Sequence, residues 1–275
     1  MVRRAKAIGL TSMKTNLLLI GLSALALQAV PAPAQLGGQP GGLGGSPRGP
    51  SFGGSIGKLF GDNSAFTATL ELQTKGGPTD ERMTIPGKLA FDQGKSRFEM
   101  DMSLMQGAKM PPGVGAQMKA MGMERLVTIS RPDKKSSYMV YPGLQTYLEM
   151  LMQDSKTDGS AEDFKMETTE LGKETVDGHP CIKNRAVVTD KEGKKHESTV
   201  WNATDLKDFP VKIQTADGGA QVSMIFRDVK LSKPDSSQFD PPTNFKKYDD
   251  MMTMMQQGMM KRFSEGQKAT PGKNP

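Results

Sequence analysis

The fold class follows from one segment, Ala65-Phe66-Thr67-Ala68-Thr69-Leu70-Glu71-Leu72-Gln73, where apolar and polar side chains alternate. Successive side chains of a β-strand point to opposite faces, so a period of two predicts a strand with one buried and one solvated face. The alternation recurs along the chain at residues 83–91, 97–102 and 220–227. The protein is therefore predicted to be mainly β, with some helix (α+β).

Further short strands are predicted over residues 126–131, 137–141, 164–174, 181–189, 196–201 and 211–215. Turn sequences such as Gln93-Gly94, Asp177-Gly178 and Glu192-Gly193 separate these runs, and their glycines accept the positive φ that tight hairpins require. Short turns join antiparallel neighbours, so roughly nine to eleven strands are expected to form a single curved antiparallel sheet. One face of that sheet is apolar and needs a cover.

Methionine-bearing segments are the predicted covers. Residues 100–123, with a short helix predicted over residues 116–122, and residues 144–154 are two of them. The third is a Met-rich C-terminal helix predicted over residues 249–263, which would act as a lid. Its helical stripe recurs at steps of three or four and comprises Tyr248, Met252, Met255, Met259 and Phe263. Methionine suits such a role because its unbranched side chain fills irregular gaps.

The N-terminus predicts export. Residues 1–34 combine four cations, an apolar run from Leu17 to Val30 and the small-x-small sequence Ala32-Pro33-Ala34, the pattern of a signal peptide. The run is shorter than the roughly 20 residues of a spanning helix, so cleavage before Gln35 is favoured over anchoring. Cys181 is the single cysteine and lies far from the cleavage site, so lipidation there is not expected. The mature protein is placed in the periplasm, without a stable transmembrane anchor.

The mature chain divides by composition. Residues 35–63 are rich in glycine and proline and are predicted to be a disordered leader, because such a sequence buries too little apolar surface to offset its ordering entropy. Residues 64–248 form the predicted β domain, and residues 264–275 a frayed tail.

Charge argues against nucleic acid as a partner. The formal net charge of the full chain is +6, and four of its cations belong to the predicted signal peptide. The remaining Lys and Arg are interspersed with Asp and Glu and form no basic stripe, which is typical of a solvated surface.

The sequence predicts a protein that is not an enzyme and needs no cofactor. Its two histidines, His179 and His196, have no evident catalytic partner, because residues two apart on a strand, such as His179 and Cys181, lie about 7 Å apart. The sequence contains no nucleotide-binding, hydrolase or zinc motif. Cys181 cannot form an internal disulfide and is expected to be buried.

Four segments resemble a known group of proteins: residues 172–181, 199–201, 208–213 and 239–248. They are similar to uncharacterised periplasmic proteins of the domain-of-unknown-function 4412 type, related to the LolA/LolB lipoprotein carriers. The resemblance implies an incomplete antiparallel barrel wrapped around a helical lid, with a hydrophobic cavity that holds lipid or lipoprotein acyl chains. It transfers no functional residue, because the matched motifs are turns and strand ends.

The alternation of side chains along each predicted strand indicates which apolar residues would face the cavity. These are Phe66, Leu70, Phe98, Met100, Met102, Trp201, Met224 and Phe226. Trp201 alternates with Val200, so one of the two faces outward unless a bulge intervenes. The same residues would serve equally in a filled core.

Three interpretations therefore remain open: a carrier or sensor of a hydrophobic, lipid-like ligand, an envelope structural or partner-binding protein without a small ligand, and a copper-handling protein. The last rests on clustered thioethers, which suit Cu(I). The sequence leaves the ligand and the oligomeric state undetermined, and no metal ligands are assigned.

Overall fold

The computed structural model describes residues 52–76, 82–107, 113–152, 163–217, 220–254, 256–258 and 260. The predicted signal peptide, most of the predicted leader and the predicted tail lie outside the described residues.

Twelve strands form one sheet in the described part of the chain. They are β1 (Ala65–Gly76), β2 (Met83–Asp92), β3 (Lys95–Asp101), β4 (Arg125–Arg131), β5 (Ser136–Tyr141), β6 (Thr146–Leu151), β7 (Lys165–Val176), β8 (His179–Thr189), β9 (Lys195–Ala203), β10 (Phe209–Asp217), β11 (Ala220–Lys230) and β12 (Lys246–Tyr248). The helices are α1 (Gly54–Leu59) and α2 (Val114–Met121), and residues 251–254 and 256–258 are also helical.

The sheet is curved and open. Its order is β12-β6-β5-β4-β3-β2-β1-β11-β10-β9-β8-β7, so β12 and β7 are its two edges and do not pair with each other. All neighbours are antiparallel except β12, which runs parallel to β6. The predicted fold class, a mainly β protein built on an incomplete antiparallel barrel, is confirmed.

The alternation of β1 produces two distinct faces. Phe66, Ala68, Leu70 and Leu72 are buried on one, called here the inner face, while the intervening residues are half-exposed on the outer face. Most of the main hydrophobic core lies on the inner face and draws residues from β1–β3 and from β8–β11; the same cluster also includes Trp201. It is the largest apolar cluster described and carries most of the burial that stabilises the sheet.

The cover of this main core differs from the prediction. Phe52, Leu59 and Phe60, from α1 and its ends, are fully buried against it, although this segment falls in the stretch expected to be disordered. The predicted cover at residues 144–154 is instead largely strand β6. Long-range aromatic packing orders α1 where local composition predicts disorder.

Methionines cover a smaller region of the inner face. Met254 is fully buried and Met251 partly buried over residues of β5 and β6, including Met139 and Leu148. A third cluster lies on the outer face, where Phe239 of the short 3-10 helix Ser236–Phe239 packs on β4 and β5. The C-terminal helix is therefore a cover for one end of the sheet only.

Candidate functional site

Strand register places most of the predicted cavity residues together. Phe66 lies opposite Phe91, Leu70 opposite both Phe226 and Gly87, and Met224 opposite Leu72. Cross-strand partners share a face, so these side chains all point to the inner face. Phe98 and Met100 join them across β2 and β3, since they pair with Leu89 and Gly87.

These residues are packed under α1. The Phe60 ring lies 4.8 Å from that of Phe66, 5.1 Å from Phe91 and 5.8 Å from Phe226, measured between centroids. Phe52 meets Phe98 edge-on at 5.9 Å. Such distances are those of favourable aromatic pairs. The inner face is thus occupied by the chain's own helix.

The sequence gives α1 little helical tendency of its own. It is six residues long and contains Gly54 and Gly57, and its N-cap Gly53 supplies no side-chain hydrogen bond. Each glycine costs about 1 kcal/mol relative to alanine inside a helix, and isolated helices below about 12 residues are marginal. Packing of Phe52, Leu59 and Phe60 therefore holds α1 in place.

A cavity of about 240 Å³ lies beside α1. It is bounded by the C-terminal end of α1, by β7–β9 and by the turn between β9 and β10. Phe60, Ala186 and Val200 line the cavity and also belong to the main core, so the cavity adjoins that core.

One wall of the cavity is polar. Asn184 Nδ2 donates to Asn202 Oδ1 over 3.0 Å, and Asn202 Nδ2 donates to the Asp208 carbonyl over 2.9 Å. Asn63 Nδ2 donates to the Lys207 carbonyl on the same rim. Lys207 and Asp208 both adopt positive φ values, of 53° and 55°, which cost energy in residues other than glycine. The amides therefore fix a strained turn at the cavity mouth.

Trp201 lies on the outer face, contrary to the prediction. It pairs with Lys183 on β8 and Lys212 on β10, whereas its neighbour Val200 pairs with Ile213 on the inner face. The two ammonium groups lie 5.0 and 4.3 Å from the indole ring centroid. The sequence could not decide between Val200 and Trp201, because both are apolar and both are buried.

The tip of the β7–β8 hairpin holds Trp201 in place. The indole N–H donates to Glu174, and this hydrogen bond lowers the pKa of the Glu174 carboxyl. Asp177, at the tip, accepts from Arg227 of β11 over 2.8 Å. A register shift at Gly172, whose φ is 140°, interrupts β7 just before this tip. The role of Trp201 is accordingly the attachment of this hairpin.

Two predicted methionine positions also differ. Met102 follows the end of β3, in the 3-10 helix Met102–Leu104, and does not extend the strand stripe. Met252, predicted to face the sheet, is 80% exposed, whereas Met254 is fully buried and Gly258 lies against Leu144. The side chains of Met255 and Met259 lie outside the described residues. The helix is rotated by one residue relative to the predicted stripe.

Both histidines have acidic partners that sequence spacing did not reveal. His179 Nδ1 lies 2.8 Å from Asp205, and His196 Nε2 lies 3.5 Å from Asp190. Cys181 is buried as predicted, and its thiol donates to the His179 backbone carbonyl, not to the ring. Burial raises the pKa of Cys181, which disfavours the reactive thiolate. The arrangement favours a structural thiol.

Sequence reasoning missed Phe52 and Phe60 and the amide pair Asn184 and Asn202. The two phenylalanines stood out in principle, since they are large aromatics inside a glycine-rich stretch. Nothing in the sequence signals the amides, because their meeting depends on the register of β8 and β9.

Taken together, the fold and site define an open β half-barrel whose apolar inner face is closed by a short helix. The chain belongs to the family described as Domain of unknown function (DUF4412), whose model matches residues 66–209. This confirms the resemblance inferred from the sequence motifs.

Two solved structures illustrate the similarity. A LolA superfamily protein from Nitrosomonas europaea is 9% identical, with 66% of this chain and 93% of that chain covered and a TM-score of 0.35. The lipoprotein LppX from Mycobacterium tuberculosis is 10% identical, with 62% and 91% covered and a TM-score of 0.37. No curated protein matches the chain. Among the described residues, no helix combines the length and apolar character needed to cross a bilayer.

Proposed function

We propose that this is an exported, non-catalytic periplasmic protein that binds or carries a hydrophobic, lipid-like ligand or acyl chain on the inner face of its half-barrel. The observation that carries the proposal is the contrast between the two sides of the main core. A broad apolar surface, including Phe66, Leu70 and Phe226, is built on long strands, while its cover, α1, has almost no helical tendency of its own.

Ligand binding in this proposal exchanges α1 for an acyl chain. The present cavity of about 240 Å³ is smaller than the roughly 300–1,000 Å³ of ordinary ligand pockets. Withdrawal of α1 exposes three large apolar side chains, Phe52, Leu59 and Phe60, at a cost of about 1.5–3 kcal/mol each, or about 5–9 kcal/mol together. An acyl chain gains about 0.8 kcal/mol for each buried methylene, so about 12 methylenes offset that cost.

The position of α1 in the chain fits this exchange. α1 precedes the first strand, β1, and is not part of the sheet, so its withdrawal breaks no strand pairing. The helix stays covalently attached to β1 and therefore remains at high local concentration for return after the ligand departs.

Native mass spectrometry and lipid extraction of protein purified from a bacterial periplasm test the proposal. We expect co-purifying acyl species in the wild type and their loss in Met100→Asp, because Met100 is a half-buried inner-face residue packed against the main core. Met260→Asp is the matched control, since Met260 is 62% exposed on the C-terminal helix. Retention of acyl species by Met100→Asp, with the protein folded, would contradict the proposal.

The filled interior supports one alternative. Phe60 already contacts four other aromatic rings, so the inner face is satisfied without a ligand. Ligand-free protein at every step of a purification that keeps lipid present would favour an envelope protein that binds partners and carries no small molecule.

A further inference from the structure

The cavity beside α1 is lined by two chemically different kinds of side chain. Phe60, Ala186 and Val200 are apolar and continue the main core. Asn184 and Asn202 add hydrogen-bonding groups on the same face of β8 and β9, with Asn184 directly opposite Val200 in the strand register. An apolar chain on the inner face would therefore run into a polar end at this position, which is the layout of a site for an amphiphile.

The amide pair retains hydrogen-bonding capacity. Each side-chain amide has two N–H donors and an acceptor oxygen. Asn184 uses one donor on Asn202, and Asn202 uses one donor on the Asp208 carbonyl and its oxygen on Asn184. One N–H of each residue and the Asn184 oxygen remain for a ligand within this network. Both amides are half-exposed, so a ligand carbonyl can accept from their remaining N–H groups.

The charge at the cavity mouth does not favour an anionic head group. Asp62, Asp208 and Lys207 line the rim and are all exposed, which gives the rim two carboxylates and one ammonium. Even without Asp62, which follows the helix that the ligand displaces, Asp208 balances Lys207, so the rim offers no net positive charge to a ligand carboxylate. A neutral carbonyl needs no such charge.

From this arrangement we infer that Asn184 and Asn202 are the head-group subsite of the proposed lipid site, and that the ligand is a neutral acyl ester or acyl amide, not a free fatty acid or a pure hydrocarbon. The inference rests on the proposed function, since it requires an acyl chain on the inner face. The shared chemistry is a carbonyl joined to an acyl chain, as in a glycerolipid ester or an N-acyl amide.

Competition against a neutral fluorescent probe, N-phenyl-1-naphthylamine, tests the subsite on the full mature chain. The competitors share one chain length and differ in the head: 1-monooleoylglycerol, oleamide, oleate and 1-octadecene. We expect the ester or the amide to compete more strongly than oleate or octadecene. The stronger of the first two identifies the source as glycerolipid or N-acyl chain.

Two substitutions of one amide complete the test. Asn184→Leu removes the donor, and Asn184→Asp keeps the shape but replaces the donor by a carboxylate. Both should weaken competition by the preferred ester or amide about fivefold to tenfold, the effect of one lost hydrogen bond, and leave octadecene unchanged. Gln214→Leu is the matched control, because Gln214 donates to Ser223 on the outer face.

The possible results distinguish failure of the Asn184–Asn202 head-group subsite from failure of the proposed apolar ligand site. If wild type binds the probe and all four competitors alike, and the Asn184 variants change nothing, the subsite is wrong while the apolar site stands. Stronger competition by oleate than by the neutral ligands would overturn the inference in the same way. If nothing binds wild type, the proposed function and the subsite fail together.

Discussion

The variant Phe60→Ala tests whether α1 can be displaced from the inner face or is a fixed part of the hydrophobic core. Phe60 is 1% exposed and contacts the rings of Phe66, Phe91, Phe209 and Phe226 at 4.8 to 6.0 Å. Loss of a buried phenylalanine ring costs about 3–5 kcal/mol if the surroundings stay in place. If α1 leaves the inner face as proposed, the loss of stability in Phe60→Ala cannot exceed the free energy with which α1 docks.

The matched control is Phe239→Ala. Phe239 is equally buried, but it lies on the outer face over β4 and β5. We expect Phe239→Ala to lose about 3–5 kcal/mol in urea unfolding and to bind N-phenyl-1-naphthylamine like wild type. Phe60→Ala should lose no more than the control and should bind the probe at least about tenfold more tightly, because each 1.4 kcal/mol removed from the closed state raises the open fraction tenfold. Equal probe binding by Phe60→Ala, Phe239→Ala and wild type would refute the displaceable helix.

Two further predictions concern stability. Lys247 donates to Glu149 and holds the pKa of the Glu149 carboxyl below the ordinary 4.5. The pair therefore stabilises the fold above that pH, and its contribution is lost as the pH falls through the lower folded-state pKa. In urea unfolding from pH 7 to pH 3, Glu149→Gln should lose less stability than wild type, and an equal loss would contradict the assignment. Gly87→Ala should destabilise the fold by about 1–3 kcal/mol, because the added Cβ would lie 2.4 Å from the Phe98 ring. The control Gly115→Ala lies in open space on α2 and should stabilise the fold by up to about 1 kcal/mol. Equal shifts of the melting temperature in the two variants would contradict the close packing at Gly87.

The strands were predictable because their signal is local. In β1 the alternation of Phe66, Ala68, Leu70 and Leu72 with polar residues survives unchanged as the alternation of buried and half-exposed positions. Val200 and Trp201 are adjacent and both apolar, so the alternation of the sequence does not say which of them faces inward. Only the register with β8 and β10 decides this.

The helices were less predictable because their positions depend on the sheet. The C-terminal segment carries methionines on several faces, so the stripe beginning at Met252 and the stripe through Met251, Met254 and Gly258 both match helical spacing. Contact with Leu144 and Leu148 selects the second stripe. For α1 even the element was missed, since a glycine-rich sequence forms a helix here only through the burial of Phe52 and Phe60.

A comparison of the two covers shows why the proposed apolar ligand would replace α1 and not the Ser236–Phe239 helix. The Ser236–Phe239 helix is capped by Asp235, and Arg131 bonds both the Phe239 carbonyl and Asp240. Loss of this cover would break charged hydrogen bonds that a hydrocarbon chain cannot supply. Between its ends, α1 meets the inner face through apolar side chains, and its N-cap Gly53 offers no side-chain bond. An acyl chain supplies the same kind of contact, which is why the proposed exchange is placed at α1. The polar contact at the C-terminal end of α1, from Asn63 Nδ2 to the Phe60 carbonyl, would be replaced by water when the helix leaves.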